Sequence, residues 1–174
     1  MADTKDKWIQ WVALTTTILA VCTAISSLKG GGFSTKVQLT TTQETNKWSY
    51  FQSKSIKQHI CEIERNRLKL ELAKAGDPRI RNIIGEQLAA GETDIARYDA
   101  EKSAIQTEAQ ELSRLQDRYK KHSAAFGLAV MLLQIAIMMS SVGALIKRKA
   151  MWIAGMGFGL IGLAYMANGF LLWF

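Results

Sequence analysis

Proline occurs once in the chain, cysteine twice and histidine twice, and three long stretches hold no Asp, Glu, Lys, Arg or His. Each scarcity excludes something. Cys22 lies inside an apolar run and Cys61 inside a polar one, so the two do not form a disulfide framework. Two isolated histidines, His59 and His122, do not supply the nucleophile, base and orienting group that catalysis holds together. No catalytic residue is therefore assigned, and the chain is read as non-enzymatic. His59, Cys61, Glu62 and Glu64 form the only metal-like cluster. Cys61 points away from the i,i+3 pair His59 and Glu62, and no second His/Cys group follows at finger spacing, so no metal or cofactor is expected. Gly30-Gly31-Gly32 has no preceding strand and no following Lys-Ser/Thr, which excludes a phosphate loop. The lack of acidic and basic residues in the apolar runs argues against proton-coupled transport.

The apolar runs are Trp8–Leu28, Ala124–Ile146 and Met151–Phe174. Each exceeds the roughly 20 helical residues needed to cross a bilayer core about 30 Å thick. The chain is expected to be an all-α membrane protein. Three transmembrane helices carry a long antiparallel, coiled-coil-like helical hairpin between the first and second spans. The expected divisions are 1–28 for the tail and first span, 29–123 for the hairpin, 124–146 for the second span, 147–150 for a short basic loop and 151–174 for the third span. Leu19-Ala20-Val21-Cys22 approximates a lipidation signal, but the branched Val21 and the unbroken run to Leu28 predict an uncleaved anchor. The net charge of +7 does not point to nucleic acid. The polar block mixes both signs, and the residual excess at Lys147-Arg148-Lys149 lies beside the spans, where lipid headgroups and insertion orientation account for it.

The single proline sits in Gly76-Asp77-Pro78, which combines a glycine C-cap, an Asp turn former and a proline helix start. That turn divides the block into near-equal arms, Ser34–Ala75 and Pro78–Lys121. In the second arm Ile95, Tyr98, Ile105, Ala109, Leu112 and Tyr119 follow helical spacing, interrupted at Lys102 and Gln116, and Ile80, Ile83 or Ile84, and Leu88 extend the stripe upstream. In the first arm the expected stripe is Trp48, Phe51, Ile56, Ile60, Ile63 and Leu70, with Leu68 and Leu72 beside it. Gly30–Gly32 is expected to be a flexible joint, and Gly91 a break in the second arm.

The spans carry small and polar faces. Thr16, Ala20, Thr23 and Ser27 share one face of the first. Gly155, Gly159, Gly162 and Gly169 line the third, and Gln134 sits near the middle of the second. One reading is close helix packing through Gly155, Gly159 and Gly162, with Gln134 making an interhelical hydrogen bond. The other is an oligomeric channel lined by Thr16, Thr23 and Ser27. The basic loop Lys147-Arg148-Lys149 places the N-terminus in the cytoplasm and the hairpin on the opposite side.

Leu14-Thr15-Thr16-Thr17-Ile18-Leu19-Ala20-Val21-Cys22, Lys29-Gly30-Gly31-Gly32, Ser53-Lys54-Ser55-Ile56-Lys57, Leu132-Leu133-Gln134-Ile135-Ala136-Ile137 and Ser140-Ser141 together resemble an uncharacterised bacterial three-span family, a domain of unknown function. The resemblance implies a bacterial inner-membrane protein and no activity or site residue; in such a membrane the orientation set by the basic loop puts the hairpin in the periplasm. The expected partners are membrane lipid, further copies of the chain and a protein bound through the hairpin.

Overall fold

The computed structural model describes residues 3–173, with side chains from Trp8 onward. The side chains of Asp3, Lys5, Asp6 and Lys7, and Phe174 at the end of the third expected span, lie outside the described residues. Three helices follow in order, α1 (Asp3–Lys74), α2 (Pro78–Leu145) and α3 (Lys149–Leu171), with no strand among the described residues. The first two run to 72 and 68 residues. Such lengths are possible because the sole proline opens α2, where its missing N–H has no helical partner to lose. Each helix includes a stretch long and apolar enough to cross a membrane.

Residues 75–77 connect α1 to α2. Asp77 caps the second helix: its Oδ1 accepts the Arg79 N–H at 2.8 Å and its carbonyl accepts the Arg81 N–H at 3.1 Å. No described glycine has a positive φ, so Gly76 does not form the expected left-handed C-cap. The Ala75 N–H instead closes the last turn of α1 on the Glu71 carbonyl at 2.9 Å, and Asp77-Pro78 redirects the chain. Gly76 and Asp77 lie in the connection and Pro78 is the first residue of α2.

The residues group into two compact units. One comprises α1 up to Leu39, α2 from Leu115 and α3. Its core is Leu19, Leu133 and Ala136, flanked by Cys22, Ile137 and Leu163. Phe126 and Ala129 are fully buried as well. α1 passes through Gly30–Gly32 as helix, so the expected flexible joint is not present. Contact explains it: a Cβ at Gly30 would lie 3.1 Å from that of Phe126, and Phe33 stacks on Phe126 and on His122 with ring centres 6.0 and 4.5 Å apart. The glycine lets two helices come together rather than letting the chain bend.

The connection to α3 is shorter than the expected 147–150, because Lys149 and Ala150 are already helical. α2 ends in a Schellman arrangement, with Arg148 N–H bonded to Gly143 O at 2.9 Å and Lys147 N–H to Ala144 O at 3.2 Å. Lys147 holds the left-handed position (φ 54°) that usually goes to glycine. A lysine there places positive charge at the negative end of the helix dipole.

The second unit is Thr40–Arg114, drawn from α1 and α2. Its contacts link Lys47 with Glu108, Lys54 with Glu101, Gln58 with Lys102 and Lys69 with Glu92, an antiparallel pairing in which the early part of one arm meets the late part of the other. Leu68, Ile84, Ile105 and Ala109 are its buried apolar side chains. Of the expected α2 stripe, Ile84, Leu88, Ile95, Tyr98, Ile105, Ala109 and Leu112 are buried or half-buried, whereas Ile80 and Ile83 beside the connection are exposed; Gly91 does not break the helix.

The α1 stripe is different. Ile56, Ile60, Ile63 and Leu70 are exposed, and only Phe51 and the neighbouring Leu68 and Leu72 turn inward. The inward face is Phe51, Lys54, Gln58, Cys61, Arg65, Leu68 and Leu72, at the same alternating spacing of three and four. The helix carries two such faces, and the more polar one is covered by α2.

The open space around Gly32, which has no neighbour within 4 Å of a built Cβ, gives a test of the unbroken helix. Gly32→Ala should raise stability by about 1 kcal/mol by removing backbone freedom from the unfolded chain. Gly30→Ala, which pushes on Phe126, should show no such gain. Thermal unfolding of both variants in detergent checks this, and a lower melting temperature for Gly32→Ala would contradict helix at this point.

Candidate functional site

In the unit formed by the apolar stretches, glycine on α3 sets how closely the helices meet. A Cβ at Gly155 would lie 2.8 Å from Ser140 Oγ and 2.9 Å from the Ala136 carbonyl oxygen. At Gly159 it would meet Leu19 Cδ2 at 3.2 Å, at Gly162 Leu133 Cγ at 2.9 Å, and at Gly169 the Phe126 ring at 2.9 Å. Gly155, Gly159 and Gly162 therefore pack within the chain, against α2 and α1. The Ser26 and Ser140 hydroxyls are buried here without a hydrogen-bond partner.

The hydroxyls expected on a conduit differ in their surroundings. Thr16 donates to the Val12 carbonyl at 2.9 Å and Thr23 to the Leu19 carbonyl at 2.7 Å, satisfying their donors on their own helix. Both are half-buried, while Ser27 is exposed. Gln134 is exposed on the outer face of α2, and its side chain has no hydrogen bond among the described residues. The structure thus does not bring Gln134 together with the α3 glycines. Sequence reading missed a longer feature on α1: Ala13, Thr17, Ala20, Ala24, Ser27 and Gly31 follow alternating spacings of four and three, and all are small and exposed. The signal was present, but attention to Thr residues shifted the face by one position.

Both ends of this unit gather aromatic and basic groups. At one, Trp8 and Trp152 have ring centres 6.5 Å apart, Lys149 Nζ sits 5.9 Å from the Trp8 ring, and the Trp152 indole N–H donates to Thr15 Oγ1 at 3.3 Å. At the other, His122 stacks on Phe33 and donates from Nδ1 to the Gly169 carbonyl at 2.8 Å, which ties α2 to the last turns of α3. Lys36 Nζ lies over the rings of Phe33 and Tyr119 at 5.3 and 5.5 Å. Between these ends most outward residues are apolar, among them Ile18, Val21, Ile25, Met131, Met138 and Leu160, with Thr17, Ser27, Gln134 and Ser141 as polar exceptions.

In the Thr40–Arg114 unit the centre of the helix pair is polar. Lys54 Nζ is 2.6 Å from Glu101 and lies over the rings of Tyr50 and Tyr98 at 5.3 and 5.5 Å. Lys102 Nζ donates to Gln58 Oε1 at 2.9 Å and lies 5.3 Å from the Phe51 ring centre. The hydrogen bond to Glu101 holds the Lys54 pKa above the ordinary lysine value, and the same bond holds Glu101 below the ordinary carboxylate value. Each ammonium group is thus held both by a paired oxygen and against aromatic rings.

The metal-like group does not converge. His59 Nδ1 is 3.4 Å from Glu62 Oε2 on the outside of α1, whereas Cys61 is half-buried on the side facing α2. Among the described residues no group of three or more His, Cys, Asp or Glu side chains could hold a metal ion. What the chain presents chemically is surface: an apolar exterior on one unit and an apolar stripe on the other.

A depressed Glu101 pKa adds stability at neutral pH that is lost as pH falls through the folded-state value. Glu101→Gln should therefore melt lower than the wild type at neutral pH, and the gap should close as pH falls through the depressed folded-state value, below which both side chains are uncharged. A gap that stays constant with pH would remove the ion pair from the account. No curated protein and no solved structure gives a significant match to this chain. The family model described as a domain of unknown function (DUF4337) matches residues 8–172, and the chain belongs to that family.

Proposed function

We propose that the chain is a non-enzymatic, homo-oligomeric integral protein of the bacterial inner membrane. Its three helices cross the bilayer, and its Thr40–Arg114 arms form an antiparallel coiled-coil hairpin for assembly or partner binding. The membrane reading draws support from the outward apolar side chains between two aromatic and basic ends, the distribution a bilayer selects. The observation that carries the assembly reading is the exposure of Ile56, Ile60, Ile63 and Leu70 on an arm that lipid does not cover. The small exposed seam Ala20, Ala24, Ser27 and Gly31 provides a second place where helices of different copies approach closely.

An oligomeric channel is the second reading. Exposed Ser27, beside Thr16 and Thr23, favours a conduit formed between copies, because Leu19, Leu133 and Phe126 fill the space within one.

Native mass spectrometry of the protein released from mild detergent should give a multiple of the 19.4 kDa chain. A monomer across the whole accessible concentration range would overturn the assembly reading. Conductance in planar bilayers that is abolished by Ser27→Leu would favour the channel. For orientation, Gly76→Cys in a Cys61→Ser background should react with an impermeant maleimide in intact spheroplasts. Reaction only after lysis would place the arms in the cytoplasm.

A further inference from the structure

Ile56, Ile60, Ile63 and Leu70 on the α1 arm are 62, 60, 58 and 66% exposed, although the opposite face of the same helix is covered through Phe51, Gln58, Cys61 and Leu68. With Arg67 filling the remaining place, the exposed residues are spaced four, three, four and three apart. That repeat carries one helix along another in a coiled coil. Ile60 and Arg67 take the a positions, and Ile56, Ile63 and Leu70 the d positions.

We propose that this stripe seats the same stripe of a second copy of the chain, the two α1 arms packing in parallel. The inference rests on the homo-oligomeric membrane reading. Copies inserted in one bilayer with one topology run their α1 helices in the same direction, which excludes an antiparallel partner stripe. The flanking charges fit a parallel pair. In that register each g position faces the next e position of the other copy, so Gln52 meets Lys57, His59 meets Glu64 and Asn66 meets Glu71. No such pair opposes like charges, and His59 faces a carboxylate. Its side chain is exposed and reaches its own Glu62 only at 3.4 Å, which leaves it available to the other arm.

Arg67 would meet its counterpart across the pair. Each guanidinium, however, is already held by Glu64 at 2.6 Å and Glu71 at 3.9 Å on its own helix. A single polar residue among apolar a and d positions restricts register, because a slipped pair would bury the charge against isoleucine. A foreign helix would fill the apolar stripe equally well. The match of each flank to the other flank of the same sequence selects a second copy.

Disulfide trapping in native membranes tests this with the full chain. Single cysteines Ile60→Cys, Ile63→Cys and Lys69→Cys are placed in a Cys22→Ser, Cys61→Ser background and oxidised with copper phenanthroline. Ile60→Cys and Ile63→Cys should give a dimer band on non-reducing gels, and Lys69→Cys, exposed on another face, should give little. Ile60→Asp with Ile63→Asp should lower the mass of the detergent-solubilised oligomer while helix content by circular dichroism stays unchanged. Equal trapping at Lys69 would reveal random collision and overturn the proposal. An oligomer that resists the double substitution and is not trapped at Ile60 or Ile63 would overturn the stripe but leave the homo-oligomeric reading intact. A wild-type monomer would overturn both.

Discussion

The approach of α3 to its neighbours at Gly155, Gly159, Gly162 and Gly169 is the contact on which the span unit depends, since at each place an added Cβ would fall within about 3 Å of a side chain or carbonyl oxygen. In hydrocarbon, apolar side chains gain little by leaving lipid for one another, so close dispersion contact between backbones becomes the main attraction. Glycine makes that contact possible, and the large residues it meets, Leu19, Leu133 and Phe126, lie at the centre of the unit. The His122 bond to the Gly169 carbonyl then fixes the far end of α3. Because the glycine face is occupied within the chain, the proposed association between copies would use other surfaces, and the exposed small seam of α1 is the corresponding feature there.

The Thr40–Arg114 unit follows the opposite logic. The face that α1 turns inward is short of large apolar side chains between Phe51 and Leu68, where Lys54, Gln58 and Arg65 stand and Lys54 and Gln58 meet Glu101 and Lys102. Charged layers of this kind add less stability than apolar ones, since desolvation offsets much of the attraction. They do specify pairing: sliding one helix by a turn would strand Lys54 and Lys102 away from Glu101 and Gln58. The same sequence leaves its best apolar residues outside. A helix with a polar face inward and an isoleucine stripe outward is poorly arranged for life as a lone pair, and that imbalance is the physical basis of the assembly reading.

How much of this was legible in the sequence depended on whether one interpretation of a pattern was available or two. The charge-free runs and the Asp77-Pro78 helix start have one physical meaning each, and the helices and their connection follow them. The α2 stripe from Ile84 to Leu112 is the only apolar face on its stretch, so its inward direction was readable. α1 carries two faces at the same spacing, and hydrophobicity alone favoured the wrong one; the winning face is stabilised by ion pairs and ring contacts that depend on residues more than forty positions away, such as Lys102 bonded to Gln58. Gly30–Gly32 read as a joint for a similar reason. Nothing local reveals that Phe126 approaches Gly30 or that Phe33 stacks on His122. The left-handed Lys147 was invisible too, because a Schellman turn is normally announced by glycine.

An isoleucine stripe only two heptads long would be a weak device in free solution. Burying each Ile or Leu contributes about 1.5–3 kcal/mol, while bringing two molecules together costs an estimated 4–15 kcal/mol in lost translation and rotation. Ile56, Ile60, Ile63 and Leu70 are only about 60% exposed in the single chain, so the eight side chains of two arms would contribute about 7–15 kcal/mol, a gain that the cost of association can cancel. Attachment to one bilayer alters the balance. Copies that share a membrane have already lost translation along its normal and most of their tumbling, and they meet at high effective concentration with their α1 helices pointing the same way. The short stripe need then supply only register and specificity, which suits a set of four apolar residues interrupted by one paired arginine. On this argument the spans and the arm stripe are interdependent: the membrane makes a weak contact sufficient, and the contact determines which copies meet and in what register.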